Sequence, residues 1–163
     1  MPTPVLAPAS PPEDAVRVDP LPSWGDFDEL RASFHALRRC LGEILGPFGL
    51  AVTDFSALRI IRRGRSRPTQ LSHCLGISPA ATTELLDRLE TRHLLRRERD
   101  PGDRRATRVA LTRAGEKLCV EAGDAYQNFL EGVASQLSRR GMTSLRTGSA
   151  ELLAVLERRA RAP

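Results

Sequence analysis

The sequence predicts a mainly α-helical domain carrying one small β-hairpin. Three observations predict it. After residue 26 most of the chain places apolar residues three and four apart, the period of a helix with one buried face. One stretch breaks that pattern with a period of two around Asp100-Pro101-Gly102-Asp103. Seven of the 12 prolines fall in residues 1–22, which excludes helix or ladder there and marks a disordered Pro-rich tail. A length of 163 residues suits one domain with such a tail, at 23–158, and allows a core that needs no disulfide or metal.

The elements follow in order. Asp26 with Glu29 resembles a capping box and opens a helix whose Phe27, Leu30, Phe34, Leu37, Leu41 and Ile44 form a narrow seam of the kind used against another helix. Gly46-Pro47-Phe48-Gly49 ends it. Thr53 is the expected N-cap of a second helix, with Phe55, Leu58 and Ile61 inward and Gly64 at its end. A short third helix spans about 68–75, with Pro68 in its first turn. Gly76 turns the chain. Ser78-Pro79 then opens a fourth helix to about residue 92, with Thr82, Leu85, Leu86 and Leu89 inward. Strands at 94–99 and 106–111 flank a type II turn at Pro101-Gly102. Thr112 caps a long helix expected to reach Arg140 and stop at Gly141, and Thr143 is the expected cap of a last helix bearing Leu145, Leu152, Leu153 and Leu156.

The net charge of +5 is unevenly spread: −3 over residues 1–52, +7 over 53–113 and +1 over 114–163. A basic block inside a folded region is an electrostatic footprint for nucleic acid. Within it, Leu71, Leu75, Gly76, Ile77 and Ser78-Pro79 lay out a helix-turn-helix, and the helix after the turn is the one that enters a major groove. Projected at 100° per residue, its outer face holds Ala80, Glu84, Asp87, Arg88 and Thr91, with Ala81 and Thr83 at the flanks. Small residues there permit close approach, their methyls suit thymine, and the hydroxyls of Thr83 or Ser78 suit phosphate or a base edge. Arg88 is the strongest candidate for a base or phosphate contact. The hairpin adds Arg96, Arg97, Arg99 and Arg108 on its arms and Arg104 and Arg105 at its tip, placed to reach an adjacent minor groove. Asp103 stands two residues before Arg105 and can orient its guanidinium.

Asp100-Pro101-x-Asp103-Arg104-Arg105, followed by Val109-Ala110-Leu111-Thr112-x-x-Gly115, resembles the wing signature of the MarR family of bacterial winged helix-turn-helix regulators. Leu71-Ser72-x-x-Leu75-Gly76-Ile77-Ser78 and Asp87-Arg88-Leu89-Glu90 are similar to that family's helix-turn-helix. The likeness covers residues 26–158 in architecture and 53–118 in motif. It implies a cytoplasmic homodimer, with 23–52 and 113–158 as dimerisation helices around a winged helix-turn-helix at 53–112. It further implies a repressor on a pseudo-palindromic operator in double-stranded DNA, responsive to a small aromatic or phenolic ligand. Carried over by position, residues 80, 81, 83, 84 and 88 contact base or phosphate, and Arg105, oriented by Asp103, enters the minor groove. The expected DNA-binding set is therefore Ser78, Ala80, Ala81, Thr83, Glu84, Arg88, Arg99, Arg104 and Arg105. The family often has Gly where His93 stands, so a different turn is expected there. Glu84 occupies a position often polar or basic.

Other classes are poorly served. There is no HExxH, P-loop, GxGxxG or GxSxG, so neither catalysis nor a cofactor is expected. No run of 18 apolar residues offers a membrane span, and no basic segment followed by an apolar one offers a secretory signal. Cys40, Cys74 and Cys119 show neither CxxC nor zinc spacing and are read as buried, inert thiols. A cysteine-based redox sensor and a winged-helix adaptor that binds protein in place of DNA are the remaining alternatives.

Overall fold

The computed structural model describes residues 24–99 and 106–161. The Pro-rich tail and the turn with Asp103, Arg104 and Arg105 lie outside the described residues. Among the described residues six helices and one hairpin follow in order: α1 (Trp24–Leu45), a 3-10 turn (Gly46–Phe48), α2 (Val52–Arg62), α3 (Pro68–Leu75), α4 (Pro79–Thr91), β1 (Leu95–Arg99), β2 (Thr107–Leu111), α5 (Arg113–Gln136) and α6 (Arg139–Arg161). The chain divides into two compact units, one ending at Ala36 and the other beginning at Leu37. The first contributes the start of α1, where Phe27 and Phe34 are exposed.

The second unit holds the core. Phe55, Leu58 and Ile61 of α2, Leu71 of α3, Leu85, Leu86 and Leu89 of α4, Leu95 and Val109 of the hairpin, and Cys119 and Ala122 of α5 bury together. The four residues of α4 expected to face inward are all buried, Thr82 included. Its hydroxyl donates to the Ser78 carbonyl at 2.9 Å, so no polar group is stranded. The hairpin is antiparallel with Leu95 opposite Leu111 and Arg99 opposite Thr107. Val109 N–H donates to the Ser66 carbonyl at 2.8 Å, which holds the α2–α3 loop alongside β2.

Several expected boundaries move. α1 begins at Trp24, two residues before Asp26. The N-cap of α2 is Ala51, not Thr53, because the Asp54 carboxylate at the third helical position accepts the Ala51 N–H at 3.1 Å. α5 stops at Gln136, well before Arg140, because Leu137 is extended. Ser138, not Thr143, caps α6: its Oγ accepts the Gly141 N–H at 3.0 Å. Gly141 thus sits in the first turn of a helix, where it was expected to end one. The Thr143 hydroxyl donates back to the Arg139 carbonyl.

α3 and α4 end alike. At Gly76 and at His93 the backbone turns left-handed, with φ of 63° and 55°. In each case the turning N–H reaches back three residues, to His73 and Glu90, and the next N–H reaches back five, to Ser72 and Leu89. The different turn expected from His93 is therefore corrected: His occupies the conformation that Gly adopts without strain. A left-handed non-glycine residue costs about 1–2 kcal/mol, and added chain entropy in the unfolded state offsets part of the relief. His93→Gly is accordingly expected to stabilise the fold by about 0.5–1 kcal/mol, read as a higher urea midpoint at unchanged slope. An unchanged or lower midpoint would show that His93 contributes contacts worth more than the strain.

Candidate nucleic-acid interface

α4 carries most of the residues that the sequence singles out for DNA contact. Ser78 is its N-cap, the hydroxyl accepting the Ala81 N–H at 3.2 Å, and Pro79 occupies the first turn. Ala80, Thr83 and Glu84 are exposed and Ala81 is half-buried. Thr83 donates its hydroxyl proton to the Pro79 carbonyl at 3.1 Å, so its oxygen faces outward chiefly as an acceptor. The face is small near its start and charged farther along, as the sequence indicates.

Arg88 has a duty that the sequence reading did not give it. Its Nη2 lies 2.6 Å from Oδ1 of Asp54, whose side chain is 5% exposed. The Arg88 side chain itself is about half exposed, so the pair joins α4 to the buried face of α2 from its edge. Asp54 is therefore fully engaged, by Arg88 on one oxygen and by Ala51 N–H on the other. Asp54 was overlooked, although a signal exists. It shares a stripe with Leu58 at i+4 and Ile61 at i+7, and a carboxylate on an apolar stripe demands a partner.

The hairpin is braced against α4 by a second set of ion pairs. Arg97 of β1 reaches Asp87 at 2.6 Å and Glu90, and its backbone N–H also donates to Glu90. Hydrogen bonding to Asp87 and the nearby carboxylates raise the guanidinium's pKa above its ordinary value. Glu98 accepts from Arg108 at 2.8 Å and from Arg96 at 2.7 Å, and these hydrogen bonds hold its carboxyl below the usual range. Three of the four arm arginines are thus matched by acids, while Arg99 is exposed. Asp103, Arg104 and Arg105 lie outside the described residues.

Thr112 locks the far end. Its hydroxyl donates to the His93 carbonyl at 2.6 Å and accepts the Gly115 N–H at 3.1 Å, so one side chain caps α5 and ties down the turn after α4. The first turn of α5 passes so close to Leu94 that a Cβ on Gly115 would stand 1.9 Å from the Leu94 carbonyl oxygen.

A cavity of about 560 Å³ opens between α2 and α5. Arg59 and Arg62 of α2, with Arg63 just past its end, line it together with Cys119, Asp124 and Tyr126 of α5. The Arg59 guanidinium lies 5.0 Å from the Tyr126 ring centre and 5.5 Å from that of Phe55. Arg62 pairs with Glu116 at 3.4 Å. Of the three thiols expected to be buried, only Cys119 is, and burial pushes its pKa up. Cys40 is half-buried. Cys74 is exposed, and Nη1 of Arg65 donates to its sulfur at 3.0 Å. Among the described residues no group of three or more His, Cys, Asp or Glu is gathered for a metal, and no single helix is long and apolar enough to cross a membrane.

Known proteins share both sequence and architecture with this chain. The model of the MarR family matches residues 48–106, which run from the 3-10 turn to the hairpin. An uncharacterized HTH-type transcriptional regulator of Bacillus subtilis (strain 168), YhbI, is 30% identical over 132 residues, covering 80% of this chain and 86% of the relative. Transcriptional regulator Tm0710 from Thermotoga maritima is 29% identical, with a TM-score of 0.56 over 86% of this chain and 100% of that structure. A cysteine-to-serine mutant of MarR from E. coli, solved in complex with operator DNA, shares the fold at a TM-score of 0.70 and 24% identity, over 78% of this chain and 94% of that one. The family match spans the helix-turn-helix of α3 and α4, and a relative aligned over most of its length agrees with it: this chain belongs to the MarR family of winged helix-turn-helix transcriptional regulators.

Proposed function

We propose that this regulator binds double-stranded DNA as a homodimer and releases it on binding a small aromatic or phenolic ligand, acting as a repressor at a pseudo-palindromic operator. The outward face of α4 carries the reading. It is small and exposed at its start, and two independent ion-pair sets hold it, Asp54–Arg88 from α2 and Asp87/Glu90–Arg97 from β1. A helix placed this firmly suits a rigid reader of a major groove. In this reading Ala80, Ala81, Thr83 and Glu84 face base edges and Ser78 faces phosphate. Arg99, Arg104 and Arg105 take the adjacent minor groove, with Asp103 orienting Arg105. Arg88 becomes a positioning residue before it is a reader.

Exposed apolar side chains support the dimer. Phe27, Phe34 and Leu37 on α1, Val133 at the end of α5, and Leu145, Leu153 and Leu156 on α6 lack cover within one chain. A self-complementary partner supplies it. The division into dimerisation helices at 23–52 and 113–158, a winged helix-turn-helix at 53–112 and a tail at 1–22 follows this reading. The α2–α5 cavity falls in the range of small-molecule sites, and its three arginines beside Tyr126 favour an aromatic ligand that carries negative charge.

Fluorescence anisotropy on a duplex from the gene's own upstream region tests this. Affinity is expected to fall steeply with salt, by roughly 10³-fold or more between 50 and 200 mM if about six phosphates are contacted. A hydroxybenzoate at millimolar concentration is expected to weaken binding further. Affinity that is weak and flat with salt would remove the DNA reading. Affinity indifferent to every phenolic acid tried would remove the ligand reading alone.

A further inference from the structure

Residues 55–83 contain five arginines and no Asp or Glu, a local charge equal to that of the whole chain. Three of those arginines, Arg63, Arg65 and Arg67, crowd the five residues that join α2 to α3, and Arg62 ends α2 just before them. The contrast with the hairpin is chemical. The hairpin's Arg96, Arg97 and Arg108, and Arg88 of α4, are each matched by a carboxylate. Arg62, at the end of α2, is matched by Glu116, whereas among the described residues neither Arg63 nor Arg65 forms an ion pair with a carboxylate. Among the described residues, cationic charge without a carboxylate partner therefore stands in the loop at Arg63 and Arg65, whereas three of the four arginines on the hairpin arms are matched.

The loop is also held in place. Three backbone bonds close the end of α2: Arg63 N–H to the Arg59 carbonyl, Gly64 N–H to that of Ile61 and Arg65 N–H to that of Ile60. The Ser66 carbonyl is bonded to β2 through Val109 N–H. The Arg65 guanidinium rests on the Cys74 sulfur, on the exposed side of α3 next to His73. In a helix-turn-helix the first helix crosses the phosphate backbone while the second enters the groove. Arg65 thus lies on the outer side of the helix that makes the crossing.

We propose that the α2–α3 loop is a phosphate clamp, in which Arg65 and Arg63 contact the DNA backbone beside the recognition helix. The proposal rests on the DNA-binding reading and extends it to residues outside the recognition helix and wing. A guanidinium bonded to a sulfur in place of a carboxylate is left available to an anion. A preset loop loses little conformational entropy on contact. Such contacts position the protein and carry no sequence information.

The test compares the wild-type chain with Arg63→Ala/Arg65→Ala and Arg63→Lys/Arg65→Lys, on the upstream duplex and on a random duplex of equal length, across a salt series. Each phosphate contact adds about 0.9 to the slope of log K against log salt, so losing two per protomer makes the slope of a dimer shallower by about 3.6. The change should be equal on the two duplexes, leaving their affinity ratio intact. The lysine pair should keep most of the slope. An alanine pair with wild-type slope, at unchanged melting temperature and dimer mass, overturns the clamp and leaves DNA binding standing. A lysine pair that loses as much slope as the alanine pair also overturns it, because contact by charge survives that exchange. A wild-type chain without salt-dependent binding removes the DNA reading and the clamp together.

Discussion

Gly115→Ala is expected to cost at least about 3 kcal/mol of stability, at the upper end of overpacking, because the obstacle is backbone and not a side chain that can turn away. The added methyl would stand 1.9 Å from the Leu94 carbonyl oxygen and 2.9 Å from its carbon. That oxygen already accepts the Thr112 N–H at 3.1 Å, at the junction of the hairpin with α5. To make room, α5 must tilt away from the turn after α4, and the Thr112 cap opens with it. The internal control lies on the same helix. At Gly132 nothing stands within 4 Å of an added Cβ, and Ala there is expected to stabilise by about 1 kcal/mol through helix propensity. Urea unfolding of both variants checks the pair. A Gly115→Ala variant that loses less than about 1 kcal/mol would mean that the close approach is relieved at little cost.

Arg88→Ala is expected to destabilise the fold by about 3 kcal/mol, because it leaves the buried Asp54 carboxylate with one backbone N–H as partner. Asp54→Ala should cost less, about 2 kcal/mol. The freed Arg88 is half exposed and turns to water, so the loss is one ion pair and one helix cap. The double variant should recover part of the loss, with a coupling of at least about 1 kcal/mol in the cycle. DNA affinity should fall with both single variants, since each releases α4 from α2. If Arg88 served only as a base reader, its removal would leave the urea midpoint in place and Asp54→Ala would leave operator preference untouched. That outcome would return Arg88 to the reading face.

How far the sequence reached depended on how local the cause was. The limits of α3 and the start of α4 follow from residues next to them: Pro68, Gly76 and Ser78-Pro79. The inward set Thr82, Leu85, Leu86 and Leu89 follows from one period. The same is true of the hairpin arms, which came within a residue. The partner of Arg88 lies 34 residues upstream, and no spacing rule links the two. Gly115 stands in the motif that marks the family, but its cause, the Leu94 carbonyl, arrives from across the hairpin. The end of α5 is not legible because Gly141 reads as a stop, while Ser138 three residues earlier supplies a cap for the next helix. His93 shows the limit of propensity: a residue that tolerates the left-handed region poorly takes it when the bonds on both sides require it.

The Arg97 strut sets the size of the piece that can be exchanged between relatives. A recognition helix moved into another scaffold as residues 79–91 alone would arrive with Asp87 and Glu90 but without the cation that joins them to the next strand. Two acids would then stand on the helix without their cation. The natural cassette runs from Ser78 through Arg99, so that the helix, its turn and the first strand of the hairpin travel as one module.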